Sequence, residues 1–147
     1  MSRPLVMLVL LMQFIINASQ AVDHPDICER DYCECTPASH PNWLVVNCTL
    51  SNDQELDISE GELPDTTTDL IITGAQAVTI NPNALSRLSD ARLVHISDTK
   101  SILIRKSSAM RMNIVNLYLD ISKCEVLRFE ERSFINIKDQ IEKLVDI

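Results

Sequence analysis

Glycine is nearly missing: of 147 residues, only Gly61 and Gly74 are glycines. A backbone loop that closes around phosphate groups needs several such positions, so a nucleotide-cradling loop is excluded. Aromatic residues make up 4% of the chain, and 13 basic residues face 21 acidic ones for a net charge of −8. Nucleic-acid recognition depends on basic patches, and none is present. After residue 16 no apolar run is long enough to cross a membrane as a helix. The chain also lacks a G-x-S-x-G elbow, a paired-histidine helix and the alternating oxygen ligands of a calcium loop. His24, His40 and His95 are scattered. With these absences no catalytic residue, metal or cofactor is expected, and the chain reads as a non-enzyme.

What is present begins with a leader. Arg3 gives a positive start, Leu5 to Ile16 is an apolar run broken only by Gln13, and Ser19-Gln20-Ala21 offers small-x-small cleavage. The run is too short to span a hydrocarbon core of about 30 Å, so residues 1–21 read as a signal peptide and the product as secreted or extracellular. Removing the leader takes Arg3 with it and leaves 12 basic against 21 acidic residues, a net −9.

Four of the five cysteines follow at C-x4-C-x-C-x12-C: Cys28, Cys33, Cys35 and Cys48. In a secreted chain this reads as a disulfide framework, with three pairings open. A zinc site from Cys33, Cys35, His40 and Cys48 is the minor alternative, because the spacing departs from the usual C-x2-4-C of structural zinc. Cys124 has no mate and reads as a buried thiol in a small apolar slot, with an intermolecular bridge as the sharper alternative. Trp43 reads as filler of the cysteine-rich core. Asn47-Cys48-Thr49 is formally a glycosylation sequon, with an apparently bridged residue at its centre.

The rest of the chain repeats. Leu70-x-Ile72 returns as Val94-x-Ile96, Leu119-x-Ile121 and Val145-x-Ile147, at steps of 24, 25 and 26 residues. Six residues after the first three come Val78-x-Ile80, Ile102-x-Ile104 and Leu127-x-Phe129, and then Ala84-Leu85, Ala109-Met110 and Ser133-Phe134. A period in the twenties marks a unit that cannot bury its apolar side alone and stacks on its neighbours. Each unit reads as a short strand, a turn, a second apolar pair and a one-turn helical segment. Period-2 alternation turns the strand residues between and beside the apolar pair away from the core. They are Asp69, Ile71 and Thr73; Leu93, His95 and Ser97; Tyr118, Asp120 and Ser122. Ile71, Leu93 and Tyr118 are expected to be exposed there.

This spacing resembles the extracellular leucine-rich repeat from about Leu70 to Ile147, and the cysteine cluster before it resembles that family's N-terminal cap. The resemblance implies an α/β solenoid with a short parallel sheet on its concave face and irregular or short helical segments on its convex side. It implies the pairs Cys28–Cys35 and Cys33–Cys48, a cap over 22–66 and repeats over 67–147. Where the family carries asparagine after each strand, this chain has Ala75, Thr99 and Cys124, which weakens the expected side-chain ladder. A protein ligand is expected on the nine concave positions. Alternatives are a small disulfide-rich protease inhibitor built on Cys28 to Cys48, or a structural matrix component. Leu144 to Ile147 reads as the start of a fourth repeat with no closing cap. The expectation is therefore a fragment of a longer receptor or matrix protein, or an end open to self-association.

Overall fold

Among the described residues, the segments Val46-x-Cys48, Leu70-x-Ile72, Val94-x-Ile96 and Leu119-x-Ile121 all lie in strands, and the strands stack coil upon coil. The computed structural model describes residues 26–109, 112 and 117–133, together with the backbone of 141–144. The expected leader (1–21), the bulky residues Met110 and Phe134, and Val145 to Ile147 lie outside the described residues.

In chain order the strands are β1 (Cys33–Pro37), β2 (Leu44–Thr49), β3 (Glu55–Ile58), β4 (Thr67–Thr73), β5 (Ala77–Ile80), β6 (Leu93–Ser97), β7 (Ser101–Ile104), β8 (Leu117–Ser122), β9 (Val126–Phe129) and β10 (Ile141–Leu144). They make two sheets, ordered β1-β2-β4-β6-β8-β10 and β3-β5-β7-β9. All pairs are parallel except β1 with β2. Each coil thus gives one strand to each sheet, the arrangement of a solenoid.

Register keeps like residues together. In the first sheet Val46, Leu70, Val94 and Leu119 line up, as do Cys48, Ile72, Ile96 and Ile121. In the second, Leu56, Val78, Ile102 and Leu127 line up, as do Ile58, Ile80, Ile104 and Phe129. These two pairs of ladders share one core. Fully burying such a side chain contributes about 2 kcal/mol, so the two ladders of each sheet supply most of the drive to stack. Burial falls off in the last described coil, where Leu127 is half-buried and Phe129 is exposed.

Three expectations are corrected. The second apolar pair is not an irregular outer segment: β-branched residues two apart build a second sheet. Among the described residues no one-turn helix forms at Ala84-Leu85 either, and the only helix is a 3-10 turn at Ile27–Glu29. The outer segments are turns because Asn83, Ser107 and Arg132 all adopt positive φ (61°, 59° and 65°), a conformation a right-handed helix cannot propagate through. Last, β10 sets Leu144 opposite Leu119, so Leu144, not Val145, holds the first slot of the fourth coil.

The missing asparagines are compensated by the backbone. Lys100 N–H donates to the Ala75 carbonyl (3.2 Å) and Glu125 N–H to the Lys100 carbonyl (3.1 Å). On the outer side Asn83 N–H donates to Ser107 (2.9 Å) and Ser107 N–H to Arg132 (3.2 Å). Ala75 and Thr99 are buried, whereas Cys124, expected to be a buried thiol, is half-buried and unbridged.

The outer turn also holds Ser108, whose buried hydroxyl has no hydrogen-bond partner. Ser108 follows the positive-φ residue Ser107 as Ala84 follows Asn83, so Ala84, and not Ala109 as the spacing suggests, is its counterpart one coil away. An unmet buried hydroxyl costs free energy that alanine does not, so Ser108→Ala is expected to raise stability by up to about 1 kcal/mol. A thermal melt checks this; a clear loss would show that the hydroxyl is needed.

At the front, Cys28–Cys35 and Cys33–Cys48 are bridged, the pairing that the cap resemblance implies. Three of the four candidate zinc ligands are therefore disulfide sulfurs, and His40 stacks on Trp43 at 4.8 Å. Strand β1 lies antiparallel along β2, with Cys33 directly opposite Cys48. Arg30 pairs with the buried Glu62 at 3.0 Å and donates to the Asp57 carbonyl at 3.1 Å, tying the front turn to the first coil. After β2, the Ser51 hydroxyl donates to the Asp53 carboxylate at 2.6 Å and holds it below its ordinary pKa of 3.8.

Candidate functional site: the open face of the six-stranded sheet

Residues that point away from the core in β2, β4, β6 and β8 fall into three rows across the sheet. The first is Val45, Asp69, Leu93 and Tyr118; the second Asn47, Ile71, His95 and Asp120; the third Thr49, Thr73, Ser97 and Ser122. Strand β1 extends the first two rows with Thr36 and Glu34. All nine positions expected on this face share it in register. Their exposure differs from expectation: Tyr118 is exposed, whereas Ile71 and Leu93 are half-buried, and Ser97 is buried. Strands about 4.8 Å apart let each row's side chains shade one another. Ile71 lies between Asn47 and His95, and Leu93 between Asp69 and Tyr118.

His95 sits near the centre of the face. Its Nδ1 is 2.8 Å from an Asp120 carboxylate oxygen and its Nε2 is 3.1 Å from the Ser97 hydroxyl. A carboxylate only accepts, so Nδ1 carries the hydrogen. In the neutral ring Nε2 then accepts from Ser97. This connectivity is that of an acyl-transfer triad, a feature that spacing in the sequence did not reveal. Yet β6 lies between two parallel neighbours whose ladders take up its backbone N–H groups. Ser97 itself is only 7% exposed. The network fixes the ring's tautomer and orientation on the surface. Asp120→Asn is expected to shift the neutral tautomer balance away from Nδ1–H, read from the imidazole nitrogen shifts; an unchanged spectrum would mean that the ring is held otherwise.

A second cluster borders the first row. The Arg92 guanidinium lies 4.9 Å from the Trp43 ring centre and pairs with Asp69 at 2.8 Å, while Thr68 donates to the same carboxylate at 2.5 Å. Tyr118 N–H donates to the Arg92 carbonyl at 2.8 Å. Trp43, expected inside the cap core, is half-buried at its surface and reaches from the cap to the third coil. Arg92 was missed because no local pattern links it to a tryptophan 49 positions earlier. Val45, Asn47 and Thr49 were readable, since Val46-x-Cys48 already has strand spacing.

At the opposite strand ends, Asn52, Asp98, Thr99, Lys100, Lys123 and Glu125 line an open polar depression. Its charges cancel, with Lys123 3.5 Å from Asp98, and no apolar floor anchors a ligand. Among the described residues no group of three metal-ligating side chains converges, and no helix is long and apolar enough to cross a membrane. Comparison with family models, with curated proteins and with solved structures gives no match.

Proposed function

We propose that this chain is a secreted or cell-surface-derived repeat module of leucine-rich-repeat type that recognises a protein ligand through the open face of its six-stranded sheet. The observation that carries the reading is the Trp43–Arg92–Tyr118 border beside Leu93. Trp, Arg and Tyr are the residue types that dominate binding energy at protein interfaces, and here they border one edge of a regular face, Arg92 against Trp43 and bonded through its carbonyl to the Tyr118 N–H. Coils of two dozen residues and a disulfide-bridged front support the family reading. The second sheet and the turn-built outer side depart from the α/β pattern. The bridges suit an oxidising compartment.

The inhibitor alternative loses support from the packing. Val46, Cys48, Leu56 and Ile58 belong to the same core as Leu70, Ile96 and Ile102, so the cysteine segment has no separate body on which to present a reactive loop.

The test is a screen of the secreted chain against arrayed extracellular proteins, with face variants in parallel. Tyr118→Ala is expected to weaken a true partner by about 30-fold, the 2 kcal/mol of an interface hot spot, with an unchanged melting curve. Arg128→Ala, on the exposed side of β9, is expected to leave affinity intact. A partner whose affinity ignores Tyr118→Ala and Arg92→Ala but falls with Arg128→Ala would move the site to the other sheet.

A further inference from the structure

The sequon Asn47-Cys48-Thr49 is split between two surfaces. Asn47 and Thr49 are exposed on the open face, while Cys48 between them is fully buried and bridged to Cys33. Along β2 the backbone pairs on both sides, with β1 and with β4, and Asn47 stands directly opposite Glu34 and Ile71. We propose that Asn47 is an N-glycan acceptor whose occupancy is set by a race between sugar transfer and closure of the Cys33–Cys48 bridge.

The transfer is a substitution at the sugar. The Asn47 amide nitrogen bonds to the anomeric carbon of a lipid-pyrophosphate-linked oligosaccharide. The bond from that carbon to the pyrophosphate oxygen breaks, the lipid pyrophosphate leaves with the electron pair, and the amide loses one proton. A transferase must grip the sequon as free chain, with the Thr49 hydroxyl near the amide. Once β2 is paired on both edges and Cys48 is bridged, that freedom is gone. Disulfide formation takes seconds or longer, so a newly made chain has an interval in which either event can come first.

Two glycoforms with different faces follow. A glycan on Asn47 stands in the middle row, one strand from Ile71 and flanked along β2 by Val45 and Thr49. It shields the β1–β4 end, while Tyr118 on β8 lies three strands, about 14 Å, away. Bulky partners are then confined to the β6–β8 end. This consequence, and entry into the secretory lumen, rest on the function proposed above.

The experiment expresses the full chain in cells with a secretory pathway and measures mass before and after removal of N-glycans. Wild type is expected as two species differing by one glycan, and Asn47→Gln as the lighter species alone. Cys33→Ser keeps the sequon and removes the bridge; its glycosylated fraction is expected to rise roughly twofold or more, because the step that competes with transfer on a timescale of seconds is gone. Transfer precedes folding, so a Cys33→Ser chain that misfolds is still read in the cell extract, and brief reductant treatment of wild type supplies the same comparison. An unmodified chain in both forms would overturn the acceptor, and equal occupancy in both would overturn the race. Leader cleavage in the same samples separates the two readings. A processed but sugar-free chain sinks this inference alone; an unprocessed, cytosolic chain sinks both.

Discussion

Ile96→Ala is expected to lower the free energy of unfolding by about 4 kcal/mol, near the top of the range for truncating a buried isoleucine. Ile96 is fully buried and has Ile72 on one side and Ile121 on the other, at the same level of adjacent strands. Neighbouring backbones are fixed by ladders on both sides, so the site collapses little around the lost carbons and retains a cavity. In a solenoid each coil is stabilised chiefly by the coils beside it. Weakening the middle rung therefore uncouples front from back as well as removing one contact. Chemical denaturation of the full chain gives the measurement: a lower midpoint with a broadened or split transition. Ile96→Val, which removes one methylene group, is expected to cost about 1 kcal/mol. A loss of less than about 1 kcal/mol for alanine would mean that Ile96 does not sit in a stacked seam.

That seam was legible in the sequence because two periods agree. Alternation marks which side of a strand is apolar, and the return of the pattern after two dozen residues marks which strands are neighbours. The second sheet carries the same information in shorter form. Ala77–Ile80 and Ser101–Ile104 are four residues each, too short for alternation to separate a strand from an irregular segment. The expected helices failed on single residues. Serine at 107 and arginine at 132 carry no sequence sign of positive φ, although asparagine at 83 does. The slip at β10 has a similar cause, because Leu144 and Val145 are both apolar and either can hold the slot.

The face was legible in direction and not in depth. Alternation placed all nine side chains on one side, but the shading of Ile71 and Leu93 depends on strands not yet placed beside them. The cap shares the repeats' architecture. Its strands β2 and β3 occupy the same two ladders as β4 and β5, so the first coil was hidden inside the cysteine segment. The Ser97–His95–Asp120 network spans two strands and depends on register. Register across coils of unequal length is set by packing.

The last expected result separates the two glycines. Gly61 and Gly74 both have positive φ, 83° and 86°, and an alanine in that conformation costs roughly 1–2 kcal/mol. Around Gly61 nothing lies within 4 Å of an added Cβ, whereas at Gly74 that atom would overlap the Leu50 carbonyl oxygen. The conformation alone does not demand glycine here. Asp98 and Lys123 take the corresponding positions of later coils with φ of 52° and 51°. What sets Gly74 apart from Gly61 is the backbone of the previous coil. Leu50 N–H donates to the Thr73 carbonyl at 2.8 Å, which draws that turn against Gly74. Relief of the overlap must move main chain, because Leu50 is buried and its N–H is tied to Thr73. Gly74→Ala is therefore expected to cost about 3 kcal/mol or more, and Gly61→Ala about 1 kcal/mol. Paired denaturation curves make the comparison internal, since both variants add the same methyl group in the same φ region. Equal losses would show that Leu50 is not pressed against the turn. A larger loss at Gly74, with hydrogen exchange accelerated at Leu50 and Thr73, would locate the cost in the junction between the first coil and the second.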